Sequence, residues 1–204
     1  IYDELERRFP DICFIRCYMD PIMQKHGLTP DQKLRKAMYD SLPECEADEK
    51  TVSVFGSDFV LNESSDIKRL LRRYGYTVRE LPTCETWQDL LDMSKGRLFL
   101  DIYPAGKYGM ETQARRLARE HLYLPGSFDY DEIEQQMRQL TTALGLPELS
   151  RETLDAERSA CEAALAKAKK LIGDMPVTLD YLYHPRPLGP VSYTHLTLPT
   201  ICSV

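Results

Sequence analysis

The sequence lacks any uncharged apolar run near the roughly 18–20 residues that a membrane-spanning helix needs, which excludes such a helix, and no membrane partner is expected. It also lacks a cationic excess: Lys+Arg number 26 against Asp+Glu 32, a formal net charge of -6. A broad nucleic-acid-binding face needs clustered Lys and Arg, so the acidic balance argues against one and no nucleic-acid partner is expected. The opening residues, from Ile1 to Glu6, have no initiator Met, no basic region and no apolar core, and do not read as a signal peptide. There is no Gly-x-Gly-x-x-Gly, no Walker pattern and no Cys-x-x-Cys. Those absences argue against a nucleotide site built by this chain alone. With 4 histidines, no Ser-His-Asp arrangement stands out, and spacing alone pairs none of the carboxylates Asp58, Glu63, Asp101 and Asp180 as acid and base.

What is present is ordinary globular chemistry, 43% hydrophobic and 28% charged in 204 residues, enough for one domain or slightly more with a real core. The composition breaks near the end. Residues 190–204 carry no charge, and Val191 to Thr200 is similar to the translation of a transposase adapter used in short-read sequencing libraries. This stretch is expected to be a non-native tail, and the rest an internal fragment of a larger protein. With Cys202 set aside, Cys13, Cys17, Cys45, Cys84 and Cys161 remain. An odd number without a secretory signal indicates a reducing, cytoplasmic setting.

The pattern along the chain alternates helix and strand. Tyr2 to Phe9 reads as the end of a helix, and Asp11 to Met19 as a strand that would place Cys13 and Cys17 on one face, half of a metal site or two small buried side chains. Thr29-Pro30-Asp31-Gln32 is a helix start with a capping box, and Leu34, Ala37, Met38 and Leu42 recur at helical spacing. Strands are expected at Thr51–Phe55, Thr77–Leu81, Arg97–Tyr103 and Leu122–Leu124. Helices are expected after Ser64 or Ser65, at Thr86–Met93, Met110–His121, Tyr130–Leu144 and from Ser150 to Ile172, the last with Leu154, Cys161, Leu165 and Leu171 as its apolar positions. Such alternation requires crossovers, hence an α/β fold of successive Rossmann-like domains with parallel sheets covered on both faces. The expected divisions are 1–46 (end of a first domain and an interdomain helix), 47–149 (second domain), 150–173 (connecting helix), 174–189 (start of a third domain) and 190–204 (tail).

Open parallel sheets bind ligands beyond the carboxyl ends of their strands, which singles out three loops. In Gly56 to Asn62, Gly56 allows close backbone approach. In Pro82 to Thr86, Cys84 precedes a helix whose N-terminus favours a thiolate, so it is either a ligand or reactive thiol or a partly buried loop cysteine. In Tyr103 to Gly109, Lys107 between two tyrosines would hold a carboxylate or phosphate, or simply be solvated. His26, beside Gly27, sits in another loop. His121 at a helix end would interact with the terminal carbonyls, and Arg186 after the late strand would meet an anion.

The order of the segments VSVFGSDF, SSDIKRLLRRYGYTV, TCETWQDLLDMSKGRLFLDIYPAGK, HLYLPGSFDYDEI and PVTLDYLYHPRPLG resembles the nitrogenase component 1 family of oxidoreductases, its nitrogenase-like relatives most of all. The earlier FIRCYMDPIMQKHG is similar to that family's passage from first to second domain, and together these span most of Asp11 to Gly189. The resemblance implies a three-domain architecture, an iron-sulfur cluster (4Fe-4S) with most ligands outside this chain, and electrons delivered by an ATP-dependent iron protein. It further implies a second component 1-like subunit or a homodimer, and reduction of a small molecule or tetrapyrrole. The family's cofactor-ligating Cys falls at or beside Ile102-Tyr103, where this sequence has none, which argues against a molybdenum-iron cofactor. On this resemblance Cys84 and Cys17 are the metal-binding candidates, with Lys107 and Gly56 beside the cofactor. A cofactor-assembly scaffold of the same fold, and a non-catalytic small-molecule or metal-chelate binding module, stand as alternatives.

Overall fold

The computed structural model describes residues 1–18, 27–173 and 175. They fall into two compact units, Ile1–Leu124 and the chain from Pro125 onward. The expected strand from Pro176, His26, Asp180, Arg186 and the expected tail lie outside the described residues.

The first unit is a parallel sheet of four strands, β1 (Asp48–Phe55), β2 (Thr77–Glu80), β3 (Gly96–Asp101) and β4 (Glu120–Tyr123), in the order β2-β1-β3-β4. The register sets Val52 beside Leu98 and Val54 beside Leu100 on one face, and Phe55 beside Asp101 on the other. Each crossover is a helix or a pair of short helices: α3 (Asp66–Arg73) between β1 and β2, α4 (Trp87–Asp92) between β2 and β3, and α5 (Pro104–Arg116) between β3 and β4. The β1-to-β2 step runs one way across the sheet and the steps to β3 and β4 run the other. Right-handed crossovers therefore put α3 on one face and α4 and α5 on the opposite one.

The α5 face carries the aromatic core. Phe55 and Phe99 meet edge to face at 5.3 Å, and Tyr39 meets Phe55 in the same way at 5.3 Å. Met93, Met110, Ala114, Leu117 and Leu42 complete this buried cluster. Tyr39 comes from α2 (Pro30–Tyr39), which packs on α5. Close approach of the two helices depends on Gly109: a methyl there would lie 2.9 Å from Lys36 Cα and 3.1 Å from the Tyr39 ring. The α2 start is as expected, with Thr29 accepting from the Gln32 amide and the Gln32 side chain accepting from the Thr29 amide. Its inner stripe differs from the expected one. Arg35, Tyr39 and Leu42 are buried and Leu34 is exposed, because the ring of Tyr39 enters the aromatic core and turns the helix with it.

Three other expectations are corrected. Residues 11–18 form turn and irregular backbone, not a strand, so the shared face for Cys13 and Cys17 is lost; Cys13 is exposed and Cys17 half-buried. Instead of joining a sheet, the segment is held back on α1 (Tyr2–Arg8): Arg16 donates to Glu6 and Asp3, and Tyr18 meets the ring of Tyr2. An apolar run becomes a strand only where a pleated partner accepts it. Second, the glycine-containing loop after β3 does not exist. Pro104 opens α5 directly, so Gly106, Lys107 and Gly109 are helical. Third, α5 ends at Arg116, so His121 lies inside β4 rather than at a helix terminus.

The second unit contains α6 (Tyr130–Ala143) and α7 (Arg151–Ile172). Asp129 caps α6 by accepting from the amides of Asp131 and Glu132, and Ser150 caps α7 through the Thr153 amide. Glu134 of α6 meets both Arg138 and Arg151, linking the two helices. The apolar positions expected to bury α7 are not buried, and Leu171 is 76% exposed.

Candidate functional site

The sheet order places the topological switch between β1 and β3, the point where a crevice opens in folds of this type. The residues there are Gly56 after β1, Asp101 at the end of β3, and the first turn of α5. Tyr39 and Arg35 approach from α2.

Asp101 is the centre of this arrangement. It is fully buried. The Tyr103 amide donates to Oδ1 at 3.2 Å, while Oδ2 has no hydrogen-bond partner. Burial pushes the carboxyl up to about 7, against the pull of the Tyr103 amide and of the positive charges on Arg35 and Lys107. Neither cation bonds to it. The Arg35 guanidinium is taken by Asp58 at 2.9 Å and Asp31 at 3.0 Å, and Lys107 Nζ sits 4.9 Å from the centre of the Tyr123 ring.

Backbone encloses the carboxyl. Gly56 has φ +88°, and a methyl at this position would lie 2.0 Å from Asp101 Oδ1. A methyl at Gly106 would lie 2.7 Å from Gly56 Cα and 2.9 Å from Asp101 Oδ1. Both positions therefore require glycine, the first for its left-handed backbone as well. The Tyr39 hydroxyl is buried beside the Gly56 backbone and the Arg35 guanidinium without a well-formed hydrogen bond. Burial, then the nearby Asp101, pushes it up to about 12.

A second buried carboxylate closes β2. Glu80 pairs with Lys68 of α3, and both side chains are almost wholly buried. The Leu61 amide donates to Glu80 Oε2 at 2.6 Å, and Lys68 also meets Glu63 at 2.8 Å. Desolvation works against the Lys68 charge, but its hydrogen bonds to Glu63 and Glu80 prevail and raise its pKa. This cluster ties the loop after Gly56 to α3.

Of the sequence-selected residues, Gly56, Cys84 and Lys107 follow the carboxyl ends of strands and Cys17 does not, and the four do not converge. Gly56 lines the Asp101 enclosure. Cys84 follows a short 3-10 turn, Leu81–Thr83, and packs against the aromatic core. Burial, reinforced by Asp89, raises its thiol pKa, the reverse of the thiolate favoured by a helix N-terminus alone. Lys107 stacks on Tyr123 instead of projecting from a loop. Cys17 lies in the segment held on α1. Among the described residues no three His, Cys, Asp or Glu side chains gather as a metal site, and no helix is long and apolar enough to cross a membrane. The described residues therefore do not by themselves complete the ligand set of an iron-sulfur cluster, which takes four protein ligands.

Asp101 was visible in the sequence as a strand-end carboxylate, but Tyr39 and Arg35 were not. Their contribution depends on α2 lying across α5, and the one local hint was a charged residue at helical spacing from an aromatic. His121, half-buried in β4, has Nε2 without a partner, and burial lowers its pKa, with Glu111 opposing and Lys107 assisting.

No protein-family model matches the chain, and comparison with curated proteins finds no match.

Proposed function

We propose that this chain is part of a nitrogenase component 1-like oxidoreductase subunit. Its parallel α/β unit would form one wall of an interdomain cleft holding an iron-sulfur cluster. The supporting observation is the order of strand, loop and helix from Thr51 to Tyr123, which follows the motif order of that family and forms a Rossmann-like sheet. In this reading most cluster ligands come from sequence beyond the described residues. Cys84 and Cys17 are the thiols this chain offers, and Gly56 and Lys107 flank the cleft. An ATP-dependent iron protein would supply electrons, and a second component 1-like subunit or a second copy would complete the assembly.

The test is anaerobic iron and sulfide analysis with an electronic spectrum, on the full-length protein recovered from the source DNA. Several iron and sulfide per chain are expected, with less iron after Cys84→Ala. A colourless, iron-free protein after cluster reconstitution overturns the reading. Unchanged iron in Cys84→Ala removes that residue from the ligand set.

A second reading, a small-molecule binding module, is favoured by the raised Cys84 thiol and by the buried Asp101 carboxyl at the switch point. Iron-free protein that binds a small organic ligand at the carboxyl edge of the sheet would establish it.

A further inference from the structure

Asp101 is a buried acid surrounded by groups that do not neutralise it. From α2 it faces Arg35, committed to Asp31 and Asp58, and the Tyr39 hydroxyl. From α5 it faces Lys107, stacked on Tyr123, and the opposing charge of Glu111. Tyr123 is also its register partner on β4 and Phe55 on β1, and the backbone of Gly56, just after β1, lies against the carboxyl. One amide, that of Tyr103, satisfies one oxygen, while the other is closed in against the α5 turn at Gly106. A neutral carboxylic acid tolerates this enclosure. A carboxylate does not, because it loses hydration without gaining a cation or further donors.

The geometry points to a proton-operated latch: with Asp101 as the neutral acid the first turn of α5 rests on Gly56, and with Asp101 as the carboxylate that turn lifts and opens the carboxyl ends of β1 and β3. The turn is suited to this role. It starts at Pro104, its N-cap residue Tyr103 makes no side-chain cap, and its contact with β1 is a glycine-to-glycine approach that water can enter once the helix moves. Opening exposes the switch-point crevice, so ligand entry there is favoured above neutral pH. This holds whether the chain serves a redox subunit or a binding module.

The sign follows from proton linkage. In the opened state Asp101 titrates near the ordinary value of about 3.9, and in the closed state near 7. The closed state therefore holds the extra proton between those values, and closure weakens as pH rises through that window and levels off above it.

Hydrogen exchange on the full chain tests this at amides 106–110. Their opening constant is expected to rise at least tenfold between pH 5 and pH 7 and to level off above about pH 7.5. At each pH it should exceed that of the α3 amides, since the latch opens without global unfolding. Asp101→Asn, which cannot ionise, should flatten the profile to within about twofold. The carboxyl-carbon NMR shift of Asp101 in the unaltered protein supplies a check that needs no variant, with a titration near neutrality expected. A carboxyl titrating below about pH 5 overturns the latch. So does an opening constant that is independent of pH, one shared with α3, or a pH profile that survives Asp101→Asn.

Discussion

Two strands of one sheet, one on either side of β1, end in buried acids with opposite fates. Glu80, closing β2, has Lys68 against it and the Leu61 amide on its second oxygen. Asp101, closing β3, has the Tyr103 amide and no bonded cation. Both are buried, so burial does not distinguish them. Available partners do: α3 delivers a lysine to the first, whereas α2 delivers an arginine already committed to Asp58 and Asp31. The first acid fastens a loop as a charged pair, and the second is a place where a proton matters.

The comparison is broken most severely by Lys68→Met. Removing one member of a buried pair leaves Glu80 without its cation, with only the Leu61 amide against it, and should cost roughly 3–5 kcal/mol in urea unfolding at pH 7. Next is Gly56→Ala on the Asp101 side, which combines a left-handed backbone with a methyl 2.0 Å from Asp101 Oδ1. A destabilisation of about 3 kcal/mol is expected from strain and overpacking together, measured in the same way.

Asp101→Asn should act with the reverse sign at alkaline pH. The folded-state pKa of Asp101 is raised, so its stabilising contribution is fully present below about 4 and is lost as pH rises through about 7. Above that point the variant should be more stable than the parent, by at most roughly 4 kcal/mol at pH 8. The advantage should vanish near pH 4, which a urea midpoint series across pH would show. The smallest effect belongs to Asp58→Ala. The Asp58 side chain is 76% exposed, so its pair with Arg35 should be worth about 0.5 kcal/mol and should weaken further in salt.

Much of the secondary structure was legible locally. The capping box at Thr29, the caps at Ser65, Asp129 and Ser150, and the apolar strands from Thr51, Thr77 and Arg97 all depend on near neighbours in the chain. The errors had a common origin. Asp11 to Met19 has strand composition, but Arg16 is held by α1. The Tyr103 to Gly109 stretch has loop composition, but its glycines are there to let α5 approach Gly56 and α2. The candidate site was legible only in part. Gly56 and the strand-end carboxylate could be picked out, whereas the occupied state of Lys107, the raised thiol of Cys84 and the presence of Tyr39 could not.

By itself the sequence determined the alternation of strands and helices, their caps and the parallel sheet that such alternation requires, because hydrogen bonds and capping act over a few residues. Only the tertiary structure decided which buried charges found partners. That depends on where α2 and α3 cross the sheet, and on how closely two glycines allow a helix to approach a strand end.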